Sequence, residues 1–166
     1  MIDLPPDMPA FDARGFRDAL GRYVTGVALV IARDANGAVA GMTINSFASV
    51  SLDPPLVLWS MRRDSASAEI FRAARNFTVS ILGAEHAEIA RRCARTDGEK
   101  LGSLDLVDAP SGIPRLADAA VWFDCAVWAV HPGGDHDLFI GRVRDFGARP
   151  GATLMFHDGR FRTSDA

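Results

Sequence analysis

The run GMTINSFASVSLDPPLVLWS at residues 41–60 constrains this chain most, because it sets a polar, small-residue strand between two apolar ones and closes it with Asp53-Pro54-Pro55. An ordinary half-buried strand alternates apolar and polar residues, so that one face packs and the other is wet. Here Thr43, Asn45, Ser46, Ser49 and Ser51 crowd hydroxyls and an amide around Phe47 and Val50. Those groups need hydrogen-bond partners, and a flat ligand with carbonyls and ring nitrogens along one edge would supply them. A hydroxyl-rich edge strand with no ligand has the same composition, so the run by itself leaves both readings open. The prolines end the polar strand, since neither can donate a ladder hydrogen bond.

The rest of the chain reads mainly as strands. VALVIA at 27–32 and AVAGMTI at 38–44 flank Asp34-Ala35-Asn36-Gly37, and LMFH at 154–157 and RFRT at 160–163 flank Asp158-Gly159. Both turns carry the residues a hairpin needs. FTVSIL at 77–82, AVWFDCAVWAV at 120–130 and DLFIGRVRDF at 137–146 add further strands, the last two joined by the turn-rich stretch 131–136. Helices are expected where Phe11, Phe16, Ala19, Leu20 and Tyr23 fall near helical spacing, and at the Ala-, Glu- and Arg-rich runs 66–74 and 84–94. Residues 95–120 read as loop. Six or seven strands with long apolar runs and no regular β-α alternation predict a mainly β, α+β fold: an antiparallel barrel, closed or nearly so, with a few flanking helices. A proline-rich arm at 1–10 precedes a single domain at 11–163, a size that buries roughly two-thirds of its unfolded surface.

Charge narrows the function. Eighteen Lys plus Arg against 21 Asp plus Glu give a net charge of −3, so no broad basic face points to nucleic acid or an anionic membrane. The first 15 residues have acids and prolines where a signal peptide has a basic end and an apolar run, so a cytoplasmic location is expected. Cys93 and Cys125 stand in regular segments without CxxC or Cys/His metal spacing and read as buried structural thiols. No GxGxxG follows a strand, no Walker-type loop is present, and no GxSxG or HExxH nucleophile or metal pattern occurs. A zinc triad of His131, His136 and His157 fits no common closed site, so no metal is expected.

Three stretches offer chemistry. The 43–51 strand supplies donors and acceptors, and Phe47, Val50, Leu52 and Trp59 could form an apolar slot. Met61-Arg62-Arg63-Asp64-Ser65-Ala66-Ser67 leaves a strand for a helix capped by Asp64 or Ser65, a place where free N–H groups and arginine attract an anion. A solvated charged turn would look the same. Asp64 would repel phosphate and is expected to face away. His136 lies in GGDHDLFIGRV at 133–143.

NSFASVSLDPPLVLWS at 45–60 and the Gly-Asp-His run ending in Gly-Arg-Val resemble the flavin reductase family, and the likeness extends over roughly 11–162. That resemblance implies a split β-barrel binding FMN or FAD, with NADH or NADPH as reductant. It places the flavin along Thr43, Asn45, Ser46, Ala48, Ser49, Val50 and Ser51, and its phosphate near Ser60, Met61, Arg62, Ser65 and Ser67. It sets His136 toward the nicotinamide, with Lys100 and Phe156 close by. It further implies a homodimer that supplies reduced flavin to a flavin-dependent monooxygenase. The alternatives are a flavin-binding storage or sensing module, and an FMN-dependent oxidoreductase acting directly on an organic substrate.

Overall fold

The computed structural model describes residues 12–95 and 100–164. The N-terminal arm, Phe11 and the Asp97-Gly98-Glu99 stretch lie outside the described residues. In chain order the elements are α1 (Ala13–Gly21), β1 (Thr25–Gly26), β2 (Ala28–Arg33), β3 (Val39–Ile44), β4 (Ala48–Leu52), β5 (Pro55–Arg62), α2 (Ala68–Ala73) and β6 (Asn76–Ile81). A 3-10 turn (Ala84–His86) then leads into α3 (Ala87–Ala94), followed by β7 (Leu106–Asp108), β8 (Pro114–Leu116), β9 (Val121–Gly133), β10 (His136–Ala148), β11 (Leu154–His157) and β12 (Arg160–Thr163).

Seven strands form one antiparallel sheet in the order β3-β2-β6-β9-β10-β5-β4. Its two edge strands, β3 and β4, are joined by only Asn45–Phe47. Laid flat, six interstrand gaps would hold those edges about 29 Å apart. The chain from Ile44 to Ala48 spans at most about 14 Å. The sheet therefore curls until its edges meet, which is the barrel the strand pattern predicts. Where they meet, the Ser46 hydroxyl takes the place of a ladder rung: it accepts from the Ser60 N–H at 3.0 Å and donates to the Ser60 carbonyl at 3.2 Å.

The interior follows from the strand sequences. β2 is buried on both faces, as its unbroken apolar run requires. Ala28, Val30 and Ala32 join the core that holds Trp59, Phe77 and Phe139, while Leu29 and Ile31 join a second core with Leu82, Ala90, Cys93 and Leu116. Trp59 stacks on Phe139 with centroids 4.5 Å apart and meets Phe71 and Phe77 edge-on. Gly141, the glycine of the Gly-Arg-Val run, is fixed by this packing, since a Cβ there would stand 2.3 Å from the Phe77 ring.

Several boundaries differ from expectation. The loop-rich span holds the small β7–β8 hairpin, whose turn is pinned by buried Asp124 accepting from the Ser111 N–H and hydroxyl at 2.8 and 2.6 Å. Residues 131–133 and 136 belong to the β9–β10 ladder, leaving only Gly134-Asp135 as the turn. Helix α2 begins at Ala68 and its N-cap is Ser67, because Asp64 is engaged by Arg62 and Ser65 closes a turn of its own, its carbonyl accepting from Ala68. No helix among the described residues is long and apolar enough to cross a membrane.

Both cysteines are buried and unpaired, as their setting in regular segments implies. Burial first, and then the Asp124 charge, push the Cys125 thiol up from 9.0 to about 12. A group whose folded value is raised contributes stability below its unfolded value and loses it as pH climbs through the folded one. The urea midpoint is therefore expected to fall as pH rises from about 9 towards 12. Cys125→Ala should flatten that decline, and an unchanged slope would count against the thiol as its source.

Candidate functional site

A cavity of about 470 Å³ opens where β3 and β5 end beside the start of β10. Met42–Ser46, Ser60–Arg62, Asp64–Ala66, the last turn of α3 at Cys93–Arg95, Lys100 and His136 line it. The volume lies within the range of small-molecule sites, about 300–1,000 Å³. Among the described residues that line it, Arg62, Arg95 and Lys100 are cations and Asp64 is the one carboxylate, so this described wall carries an excess of cations in a chain whose net charge is −3. Coulomb's law then selects an anionic ligand.

Strand pairing explains the convergence. β5 and β10 run antiparallel in a register that sets Arg62 opposite His136 and Ser60 opposite Leu138. His136 opens β10 directly after Gly134-Asp135, where Gly134 has φ +69°, the positive angle the first residue of a type II′ turn needs. That turn brings the Asp135 Oδ1 to 2.8 Å from the His136 Nδ1. An ionised carboxylate only accepts, so Nδ1 carries the proton and Nε2 is left for a ligand. The hydrogen bond from His136, aided by its charge, holds the Asp135 carboxyl below the usual range.

One residue further on, buried Asp137 ties the wall together. Its carboxylate receives the Arg72 Nε at 2.8 Å and pairs with the Arg63 Nε at 3.4 Å, while the Arg72 Nη2 donates to the Arg63 carbonyl at 3.2 Å. This network fastens α2 and the turn after β5 to the start of β10. Thr43 does the same for the opposite wall, its Oγ1 donating to the Ala90 carbonyl of α3 at 2.9 Å.

Of the predicted residues, Thr43, Asn45, Ser46, Ser60, Met61, Arg62, Ser65 and His136 come together in the cavity, and Lys100 joins them. The Thr43 and Ser46 hydroxyl protons are already engaged by backbone carbonyls, so each offers a ligand only an acceptor. The Asn45 amide has no partner among the described residues and keeps both functions. Ala48, Ser49, Val50 and Ser51 are not brought in, because the polar run leaves the cavity at Ser46 and continues as the outer edge strand β4. Ser67 lines a neighbouring cavity, and Phe156 packs on Phe161 in the separate β1-β11-β12 sheet.

The expected apolar slot is replaced. Trp59 is sealed in the core, Leu52 is 96% exposed and Phe47 stacks on Phe123 at 5.4 Å. Met42, Ile44, Met61, Ala66 and Cys93 take its place. Their signal was the strand-end position of Met42 and Ile44 and the Ala90/Cys93 spacing on one face of α3. Asp64, expected to face away, stands on the cavity wall instead. It holds Arg62 in a fork, Nε to Oδ1 at 3.0 Å and Nη2 to Oδ2 at 2.6 Å.

Among the described residues, His131, His136 and His157 do not gather into a metal-ligating group. Glu85, His86 and Asp118 do lie together. There the His86 Nδ1 accepts the Gly83 N–H at 3.0 Å, which puts the ring proton on Nε2, 3.1 Å from the Asp118 Oδ2. That nitrogen is a donor and offers no lone pair to a cation.

Residues 20–165 match the family model described as flavin reductase like domain. The chain is 39% identical over 150 residues to the FMN reductase (NADH) SmoA of Agrobacterium fabrum, covering 90% of this chain and 85% of that protein. It is 34% identical over 153 residues to the flavin-dependent monooxygenase reductase subunit HsaB of Rhodococcus jostii, covering 92% and 78%. Among solved structures, the NADH:FAD oxidoreductase SgcE6 of Streptomyces globisporus, in complex with NAD and FAD fragments, superposes with a TM-score of 0.85 at 35% identity, covering 91% and 92%. Two further curated relatives are longer, the chain spanning 44% and 59% of them.

Asp64 and Arg62 are both well exposed, so their pairing is weak and a phosphate can displace it. Asp64→Asn removes the carboxylate from the described lining of the cavity. It is expected to tighten FMN binding roughly two- to fivefold, read by fluorescence quenching. Weaker binding would mean that Asp64 is needed to orient Arg62.

Proposed function

The chain belongs to the flavin reductase family, and on that premise we propose that it is an NAD(P)H:flavin oxidoreductase that reduces FMN or FAD and passes the reduced flavin to a partner monooxygenase. The observation that carries this reading is the cationic cavity in which Arg62 and His136 stand opposite each other on one ladder. Its residues fit a flavin. Asn45 and the free lone pairs of Thr43 and Ser46 suit the polar edge of the ring system. Met42, Ile44 and Met61 suit its body, and Arg62 and Ser65 suit the phosphate. A bound flavin supplies a ring that accepts hydride, which needs no acid or base from the protein.

What the chain contributes is binding and alignment. Arg62 and Lys100 neutralise the phosphate, and the strand-end backbone orients the ring edge. His136, its Nδ1 fixed by Asp135, holds Nε2 ready for the carboxamide of the nicotinamide. We place residues 11–163 in one flavin-binding domain, working in the cytoplasm as a homodimer. The support for the dimer is α1, which has no buried residue although its apolar positions share a face. Leu20 in the last turn of α1 is 58% exposed and Tyr23 just beyond it 77%, exposed large side chains that an interface would cover.

Two measurements test the reading. NADH oxidation should require added FMN or FAD, and His136→Ala should raise the KM for NADH about tenfold while the flavin dissociation constant stays within about twofold. A flavin dissociation constant that moves with the KM would place His136 on the flavin instead. Leu20→Asp changes an exposed side chain and leaves the barrel intact. It is expected to convert the protein from dimer to monomer by light scattering, and an unchanged mass would remove α1 from the interface.

A further inference from the structure

The His136 side chain is 37% exposed, so close packing alone does not set its direction. The backbone on either side of it does. Before it, the Asp135 carbonyl accepts the Arg63 N–H at 3.0 Å, which ties the Gly134-Asp135 turn to the residue that follows β5. After it, the buried Asp137 carboxylate divides its oxygens between two arginines. Oδ2 receives the Arg72 Nη2 and Nε at 2.6 and 2.8 Å, and Oδ1 faces the Arg63 Nε at 3.4 Å. Both anchors of the histidine therefore run through residue 63.

Residue 63 stands past the last rung of the β5–β10 ladder, which ends with Arg62 opposite His136. What steadies it there is Arg72, near the end of α2. The Arg72 Nη2 donates to the Arg63 carbonyl at 3.2 Å, while the carboxylate that the same guanidinium engages faces the Arg63 side chain. A planar guanidinium, with its donors in a fixed fork, can span two such acceptors at once. Arg72 lines neither the ligand cavity nor the cavity beside it, so it reaches the site only through this frame. An ion pair whose arginine is 41% exposed adds little to stability. Its effect falls on where His136 stands.

We propose that Arg72 is a positioning residue for the nicotinamide: by holding Arg63 at its carbonyl and through Asp137, it fixes the turn that aims the His136 Nε2 into the cavity, and so sets the affinity for the coenzyme without touching it. This rests on the reductase reading above, in which His136 meets the carboxamide, and adds to it a residue on another element. The flavin side lies outside the frame. Thr43 and Ser46 are held by Ala90 and Ser60, and Arg62 by its ladder and its fork with Asp64. Loosening Arg72 therefore disturbs the coenzyme and spares the flavin.

The test is a double-mutant cycle on the wild type, Arg72→Ala, His136→Ala and the variant carrying both, read by flavin-dependent NADH oxidation and by equilibrium flavin binding. Arg72→Ala is expected to raise the KM for NADH about fivefold, with kcat and the flavin dissociation constant each within about twofold. In the His136→Ala background the same substitution should move the KM by less than about twofold, because the ring it aims is gone. Thermal unfolding checks that each variant is folded, and Arg72→Gln carries the same cycle should Arg72→Ala not fold. An unchanged KM, or effects of the two substitutions that multiply in the double variant, would overturn the proposal and leave the reductase reading intact. A flavin dissociation constant that rises with the KM would make Arg72 a support of the whole wall and likewise overturn it. No effect of His136→Ala on the KM, or no flavin-dependent oxidation of NADH by the wild type, would overturn the reading and the proposal together.

Discussion

Everything in this fold depends on a three-residue connection. Asn45–Phe47 joins strands that stand at opposite ends of a seven-stranded sheet, and so short a link leaves the sheet no choice but to close on itself. The seam has no continuous ladder. One hydroxyl, that of Ser46, serves both backbone groups of Ser60 and makes the joint. Because the closure is local, the strand ends around it splay, and the cavity opens at that place. The ligand site is thus what an incompletely zipped barrel leaves behind, walled by β3 and β5 and bounded by α3.

Electrostatics then gives the opening its character. The chain as a whole is acidic, yet the described lining of the cavity gathers three cations and one carboxylate. Asp135 and Asp137 bracket His136 and do opposite work: one is exposed and fixes the ring's tautomer, the other is buried and holds two arginines that brace the wall. Asp137, the next position along β10, points to the face opposite His136, while Asp135 lies in the turn before the strand, which is why the two acids do not compete for the histidine.

Much of this was legible in the sequence, for physical reasons that differ by element. The hairpins at Asn36-Gly37 and Asp158-Gly159 were readable because turn chemistry is local, and the doubly buried β2 because an unbroken apolar run has few other uses. The convergence of 43–46, 60–65 and 136 followed from the family likeness rather than from spacing. What escaped was tertiary. That Thr43 and Ser46 would use their protons on Ala90 and Ser60 depends on which backbone lies opposite, as does the burial of Trp59 in the core. Asp64 was expected to turn outward because a lone carboxylate repels phosphate. It is held on the cavity wall by Arg62, a contact that the isolated segment does not reveal. The β7–β8 hairpin went unseen because its strands are three residues long and owe their place to the buried Asp124.

The double service of Ser46 has a consequence for how such a protein can change over time. A side chain that both seals the barrel and faces the ligand cannot be exchanged for the sake of a new substrate without loosening the seam, whereas its partner Ser60 contributes only backbone groups and is free of that condition. Selectivity is therefore freer to drift on the far bank of the cavity, at Ala94, Arg95 and Lys100, which line the ligand space outside the hydrophobic cores. Mechanics constrains one shore of the site, and the other is where relatives with different appetites should diverge.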